Sequence, residues 1–138
     1  MTELDFHTTN HTPPQRFLPV VEKAKTVYKN WTIIHRALPR VERFGLGTKI
    51  DFVFLELLEL LRKSSYTPII QKINLLSDAL DKTDSLRFFI QLLWELKLIP
   101  NHQFSSLGSE IENIGRMING WKKGLVIKTS ATQAEERK

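Results

Sequence analysis

The chain has 138 residues, about one domain, with twenty Lys/Arg against fifteen Asp/Glu for a net charge of +5. Hydrophobic residues make up 41 % and charged residues 25 %, the balance of a soluble globular protein, and there is no cysteine, which excludes a disulfide scaffold, a cysteine nucleophile, an iron–sulfur cluster and a zinc ribbon. No apolar run approaches the roughly 18 residues of a membrane span, and the first residues lack the apolar core of a secretory signal, so a cytoplasmic protein without membrane contact is expected.

Residues 1–16 read as a polar, disordered arm closed by Pro13 and Pro14. A first helix near 17–38 places Phe17, Val20, Ala24, Val27, Trp31, Ile34 and Leu38 at steps of three and four, which is one helix face. Pro39 ends it, because the residue before a proline is pushed out of the helical region. A second helix is expected near 40–65, with Ile50, Val53, Phe54, Leu57, Leu58 and Leu61 on one face. Gly45 and Gly47 precede that stretch and have two readings, a tight turn or a close approach of backbone to a neighbour. Thr67 and Pro68 look like an N-cap followed by proline at the first helical position.

The third helix is expected near 68–99, about 45 Å long at 1.5 Å per residue. Its stripe, Leu76, Ala79, Thr83, Leu86, Ile90 and Leu93, keeps step through the polar run Asp81–Ser85, which a loop would not allow. The fourth, near 102–122, carries Phe104, Leu107, Ile111, Ile114, Ile118 and Trp121, with Trp121 plugging the end of the core. Gly108 and Gly115 beside that stripe would admit a neighbouring helix. Gly120 and Gly124 read as its end, leaving 124–138 as a flexible tail. Four amphipathic helices with short connections and no strand pattern predict an all-α, antiparallel up-down four-helix bundle over residues 17–123.

Two of the helices are apolar around more than one face. Phe52, Leu55 and Leu60 on the second, and Phe88, Leu92 and Leu96 on the third, would form a contiguous exposed patch in a monomer. The alternatives are an unusually wide core or a subunit interface, and the interface is the favoured reading.

Charge is unevenly spread. Residues 16–49 hold eight Lys/Arg against two acids, and residues 115–128 hold four against none. Lys25, Lys29 and Arg36 share a face of the first helix, Arg40 and Arg43 extend the stripe into the turn, and Lys49 is a further basic candidate in the same segment. Arg116, Lys122 and Lys123 form a second basic segment. Such stripes match a phosphate backbone, or they are simply solvated faces. Arg116 keeps two readings: phosphate contact, or pairing with Glu112 four residues earlier.

Signals for catalysis are weak. Gly45 to Lys49 lacks the spacing of a phosphate-binding loop and no strand precedes it. Glu56 and Glu59 are paired carboxylates, but no histidine has a glutamate three residues before it, as a di-metal bundle requires. His7 and His11 lie in the arm, and His35 reads as a partly buried helix residue. No enzyme activity, metal or cofactor is expected.

Three short segments carry a resemblance. They are Tyr28-Lys29-Asn30-Trp31, Leu38-Pro39-Arg40-Val41-Glu42-Arg43-Phe44-Gly45-Leu46-Gly47 and Ile114-Gly115-Arg116-Met117-Ile118-Asn119-Gly120-Trp121. In this order on four helices they resemble the accessory variability determinant proteins of diversity-generating retroelements, over about residues 17–123. The four-helix proteins of ribosomal RNA intervening sequences share the middle motif. The resemblance implies a non-catalytic homopentamer that binds a reverse transcriptase and nucleic acid, template RNA or cDNA, during mutagenic copying. The alternative it leaves is a structural or protein-interaction module of the intervening-sequence type.

Overall fold

The computed structural model describes residues 18–136. The arm 1–16 with His7 and His11, and Phe17, lie outside the described residues. The elements are α1 (Pro19–Ala37), a short α2 (Arg40–Phe44), α3 (Leu46–Ser64), α4 (Ile69–Glu95) and α5 (Asn101–Glu136). Each of the four long helices packs against two neighbours, α1 on α3 and α5, and α4 on α3 and α5. This is the up-down four-helix bundle that the apolar rhythm predicts.

The stripes read from sequence form the core. Trp31, Phe54, Ile50, Leu57, Leu61, Leu76, Leu86, Ile90, Leu93, Ile111, Ile114 and Ile118 are fully buried. Thr83 is also buried in the middle of α4, where its hydroxyl donates to the Leu80 carbonyl at 2.7 Å. That bond lets a polar residue hold a core position without breaking the helix. α1 has Pro19 in its first turn, Glu22 near its positive end and Arg36 near its negative end. It stops at Ala37 because Leu38, before Pro39, is extended.

Several boundaries differ from expectation. The second helix is broken at Gly45, whose backbone (φ −100°, ψ −105°) separates α2 from α3. α4 begins one residue late, with Pro68 at its N-cap, and the Thr67 hydroxyl donates back to the Lys63 carbonyl at 2.6 Å instead of capping it. α4 also ends early, at Glu95. The Leu98 N–H bonds the Leu93 carbonyl and the Lys97 N–H the Trp94 carbonyl, with Lys97 left-handed at φ 62°. This pairing is the Schellman C-cap. Trp94 then stacks on Phe104 at 4.7 Å and donates its N–H to Asn101 Oδ1, fixing the turn into α5.

The largest correction concerns the end of the chain. α5 does not stop near 122 but continues to Glu136, so residues 124–136 are helix and not a tail without structure. Gly120 and Gly124 sit inside it with nothing within 4 Å of where a side chain would stand. Gly108 likewise faces open space, and Gly115 makes only an ordinary contact with Thr83 at 3.6 Å. Neither permits a close helix approach. Trp121 does sit at the end of the core, half-buried, with Lys72 Nζ 5.7 Å from its ring.

Candidate nucleic-acid interface

Lys25, Lys29 and Arg36 project from one face of α1, within about 40° of arc at 100° per residue. Lys29 and Arg36 are exposed; Lys25 is half-buried and pairs with Glu22 at 3.5 Å. At the end of α1 the chain turns through Pro39 into α2, which lies across the corner between α1 and α3. Arg40 is exposed there and Arg43 partly so. The Arg43 guanidinium donates to the Arg36 carbonyl at 3.4 Å and lies 5.5 Å from the Phe44 ring centroid. The structure therefore places Arg36, Arg40 and Arg43 at one corner, with Lys29 about 10 Å and Lys25 about 16 Å back along the same face of α1.

That corner stands on a polar frame. The Arg43 carbonyl accepts two hydrogen bonds, from His35 Nε2 at 3.0 Å and from the Thr48 hydroxyl at 2.9 Å. A carbonyl only accepts, so His35 carries a proton on Nε2. Its ring stacks on the buried Trp31 at 5.2 Å. Its Nδ1 lies 3.8 Å from Asp51 Oδ1, the same oxygen that accepts the Trp31 N–H at 3.2 Å. Gly47 passes beneath the ring so closely that a methyl there would meet His35 at 2.7 Å and the Glu42 carbonyl at 3.0 Å. Of the two readings of Gly47, close approach is the one realised. Burial, then the hydrogen bond and charge of Asp51, raise the Tyr28 phenol above its ordinary pKa.

The remaining cations lie elsewhere. Lys49 is on the side of α3 that faces α4, its Nζ 5.9 Å from the Phe89 ring, away from the α1 stripe. Arg116 is exposed and bonded to both Glu112 and Asn113 at 3.2 Å. Pairing with Glu112 is thus realised, without burial. Lys122 and Lys123 are at the far end of the bundle. Ile34, next to the corner, shares a groove with His102 and Gln103 of α5, and nineteen residues of helix separate Gln103 from Lys122, or about 28 Å.

The six apolar residues read as an interface also divide. Phe52, Leu55 and Phe88 are exposed on α3 and α4. Leu60 and Leu92 are half-buried, and Leu60 packs against the core. Leu96 is exposed but belongs to the cap after α4, not to a helix face. Leu55 and Leu60 line a groove of about 450 Å³ between α3 and α4 together with Glu56, Glu59, Asp78 and Asp81 and the cations Lys63 and Lys82.

Sequence reasoning missed Asp51, Phe44 and Val41. Asp51 is the single acid in the first half of an apolar helix, a signal in principle. The exposure of Phe44 and Val41 has no sequence signature, since both look like core residues. Among the described residues no cluster of three or more metal-ligating side chains occurs, and no helix is long and apolar enough to cross a membrane.

A family model described as bAvd-like matches residues 18–125. Among solved structures, the fold is similar to that of a protein with unknown function from the S23 ribosomal protein family of Bacteroides thetaiotaomicron. The TM-score is 0.71 at 17% identity, covering 75% of this chain and 95% of that one. No curated protein matches the sequence.

Proposed function

The chain belongs to the bAvd-like family, and from that premise we propose a non-catalytic accessory protein that binds a reverse transcriptase and nucleic acid, template RNA or cDNA, in mutagenic copying by a diversity-generating retroelement. It works in the cytoplasm, without cofactor, as a homopentamer. The observation that supports the nucleic-acid part is the basic corner of Arg36, Arg40 and Arg43, braced at the Arg43 carbonyl, with Lys29 and Lys25 continuing it along the same face of α1. Contacts of this kind hold phosphates without reading bases. One copy offers a modest site; a ring repeats it, and tethered sites gain strongly from effective concentration.

Phosphate binding releases counterions, so log affinity falls linearly with log salt, with a slope of about −0.7 to −0.9 per phosphate neutralised. Replacing Arg36, Arg40 and Arg43 together by Ala should flatten that slope by about two to three and weaken unrelated sequences equally. Unchanged binding at every salt concentration overturns the assignment. Light scattering tests the ring: a stable monomer removes the oligomer, and a dimer removes the pentamer.

The exposed Phe52, Leu55 and Phe88 favour a second reading, a protein-interaction module of the ribosomal RNA intervening-sequence type. A reverse transcriptase gene and a variable repeat beside the gene support the first; a surrounding ribosomal RNA locus supports the second.

A further inference from the structure

Phe44 and Val41 are apolar side chains that the fold leaves outside. Phe44 is 68% exposed and Val41 78%. Neither joins the core, and α2 buries no residue at all. Arg40 and Phe44, four apart, share one side of α2, while Glu42 is turned to the other. The Arg43 guanidinium lies over the Phe44 ring at 5.5 Å, a cation–π contact made by a ring that stays largely exposed. The residue before Phe44 has its carbonyl pinned by His35 and Thr48, so the ring is presented on fixed backbone.

An exposed aromatic ring among arginines suits an unpaired nucleobase. Every base has a π-face, and stacking on a protein aromatic tolerates any sequence while the cations track the phosphates. A duplex offers no such face, because its bases are already stacked on one another. The positive surroundings (Lys29, Arg36, Arg40, Arg43) complement a polyanion. From this geometry we infer that Phe44 is a stacking platform for an unpaired base, and that the corner therefore prefers single-stranded over double-stranded nucleic acid. The inference rests on the nucleic-acid reading above and adds the class of nucleic acid to it.

The experiment uses the full chain and three fluorescent probes of equal length: oligo-dT, an abasic strand with the same backbone, and a duplex. Affinities are read by anisotropy across a salt series. The wild type should prefer oligo-dT to the abasic strand. Phe44→Ala should lose roughly 5- to 100-fold on oligo-dT only, with the salt slope intact, and Phe44→Trp should restore it. Because the ring is exposed, Phe44→Ala should melt like the wild type. If Phe44→Ala binds all three probes as the parent does, while the triple arginine variant is weakened, the platform is wrong and the phosphate reading stands. If the wild type binds no probe in a salt-dependent way, both fall. If Phe44→Ala changes the particle mass by light scattering, Phe44 is a contact between subunits and the inference is overturned.

Discussion

Gly47→Ala adds one methyl at the glycine with the least room around it. The new carbon would stand 2.7 Å from His35 Cδ2, 2.9 Å from Nε2 and 3.0 Å from the Glu42 carbonyl oxygen. The imidazole has no easy retreat, since it is stacked on Trp31 and bonded to the Arg43 carbonyl. Overpacking of this kind costs about 1–3 kcal/mol. Losing the His35 hydrogen bond adds about 0.5–1.5 kcal/mol. Alanine returns at most about 1 kcal/mol through helix propensity. The net expectation is a loss of about 0.5–3.5 kcal/mol, or roughly 2–12 °C in Tm for a chain of this size. Gly120→Ala is the matched control: nothing lies within 4 Å, so propensity acts alone and should raise stability by about 0.5–1 kcal/mol. Thermal melts by far-UV circular dichroism give both numbers. If Gly47→Ala melts at or above the wild type, the frame yields freely and does not brace the basic corner.

Lys97 is a non-glycine residue in the left-handed region, which costs about 1–2 kcal/mol; glycine removes that strain but enlarges the unfolded ensemble. Lys97→Gly should therefore raise the melting temperature by about 2–4 °C in the same assay, and a fall would mean that the lysine side chain itself holds the turn. For Tyr28 the folded-state pKa is raised, by burial first and by Asp51 second. The unfolded chain then ionises first as pH climbs through about 10, so the stabilisation is complete below that pH and is lost above it. Melts between about pH 9 and pH 11 should show the wild type declining more steeply than Tyr28→Phe; parallel declines would mean that neither burial nor Asp51 raises the phenol.

The bundle was legible because burial repeats along the chain. Thr83 kept α4 whole in the pattern, and its bond to Leu80 explains why a polar residue is tolerated there. The end of α5 was misread by giving glycine the weight of a stop. Glycine costs a helix about 1 kcal/mol and stops it only where the backbone leaves the helical region, as it does at Gly45 and not at Gly120 or Gly124. The apolar rhythm in fact runs on past Gly120 and Gly124, from Ile118 through Trp121 to the half-buried Leu125. The frame under the corner was invisible for another reason. Trp31, His35, Arg43, Thr48 and Asp51 meet across two turns of chain, and side-chain bonds at such separations leave no period to detect. Sequence proximity alone puts Lys49 with the arginines, whereas the break at Gly45 resets the helical phase and carries it round to Phe89.

The surfaces proposed for assembly and for nucleic acid do not compete. Lys25, Lys29 and Arg36 lie on α1, and Arg40, Arg43 and Phe44 on the short helix at its end. Phe52, Leu55 and Phe88 lie on the outer sides of α3 and α4. Lys82 of α4 pairs with Glu56 of α3 at 3.4 Å, and Lys49 reaches Phe89. These contacts set the antiparallel register and place Phe52 beside the turn of α4 that bears Phe88. A contact between copies through this face would cover exposed aromatic surface while leaving the α1 stripe open. It would also enclose Lys49, which belongs with the interface by position although its charge first suggested the stripe. On the proposed reading, Arg116, about 20 Å along the axis from the corner, and Lys122 and Lys123, about 28 Å from it, are a second landing site on each copy. A strand long enough to reach both would be held at two points by one subunit and at further points by its neighbours. Affinity would then come from the number of sites engaged and not from the strength of any one.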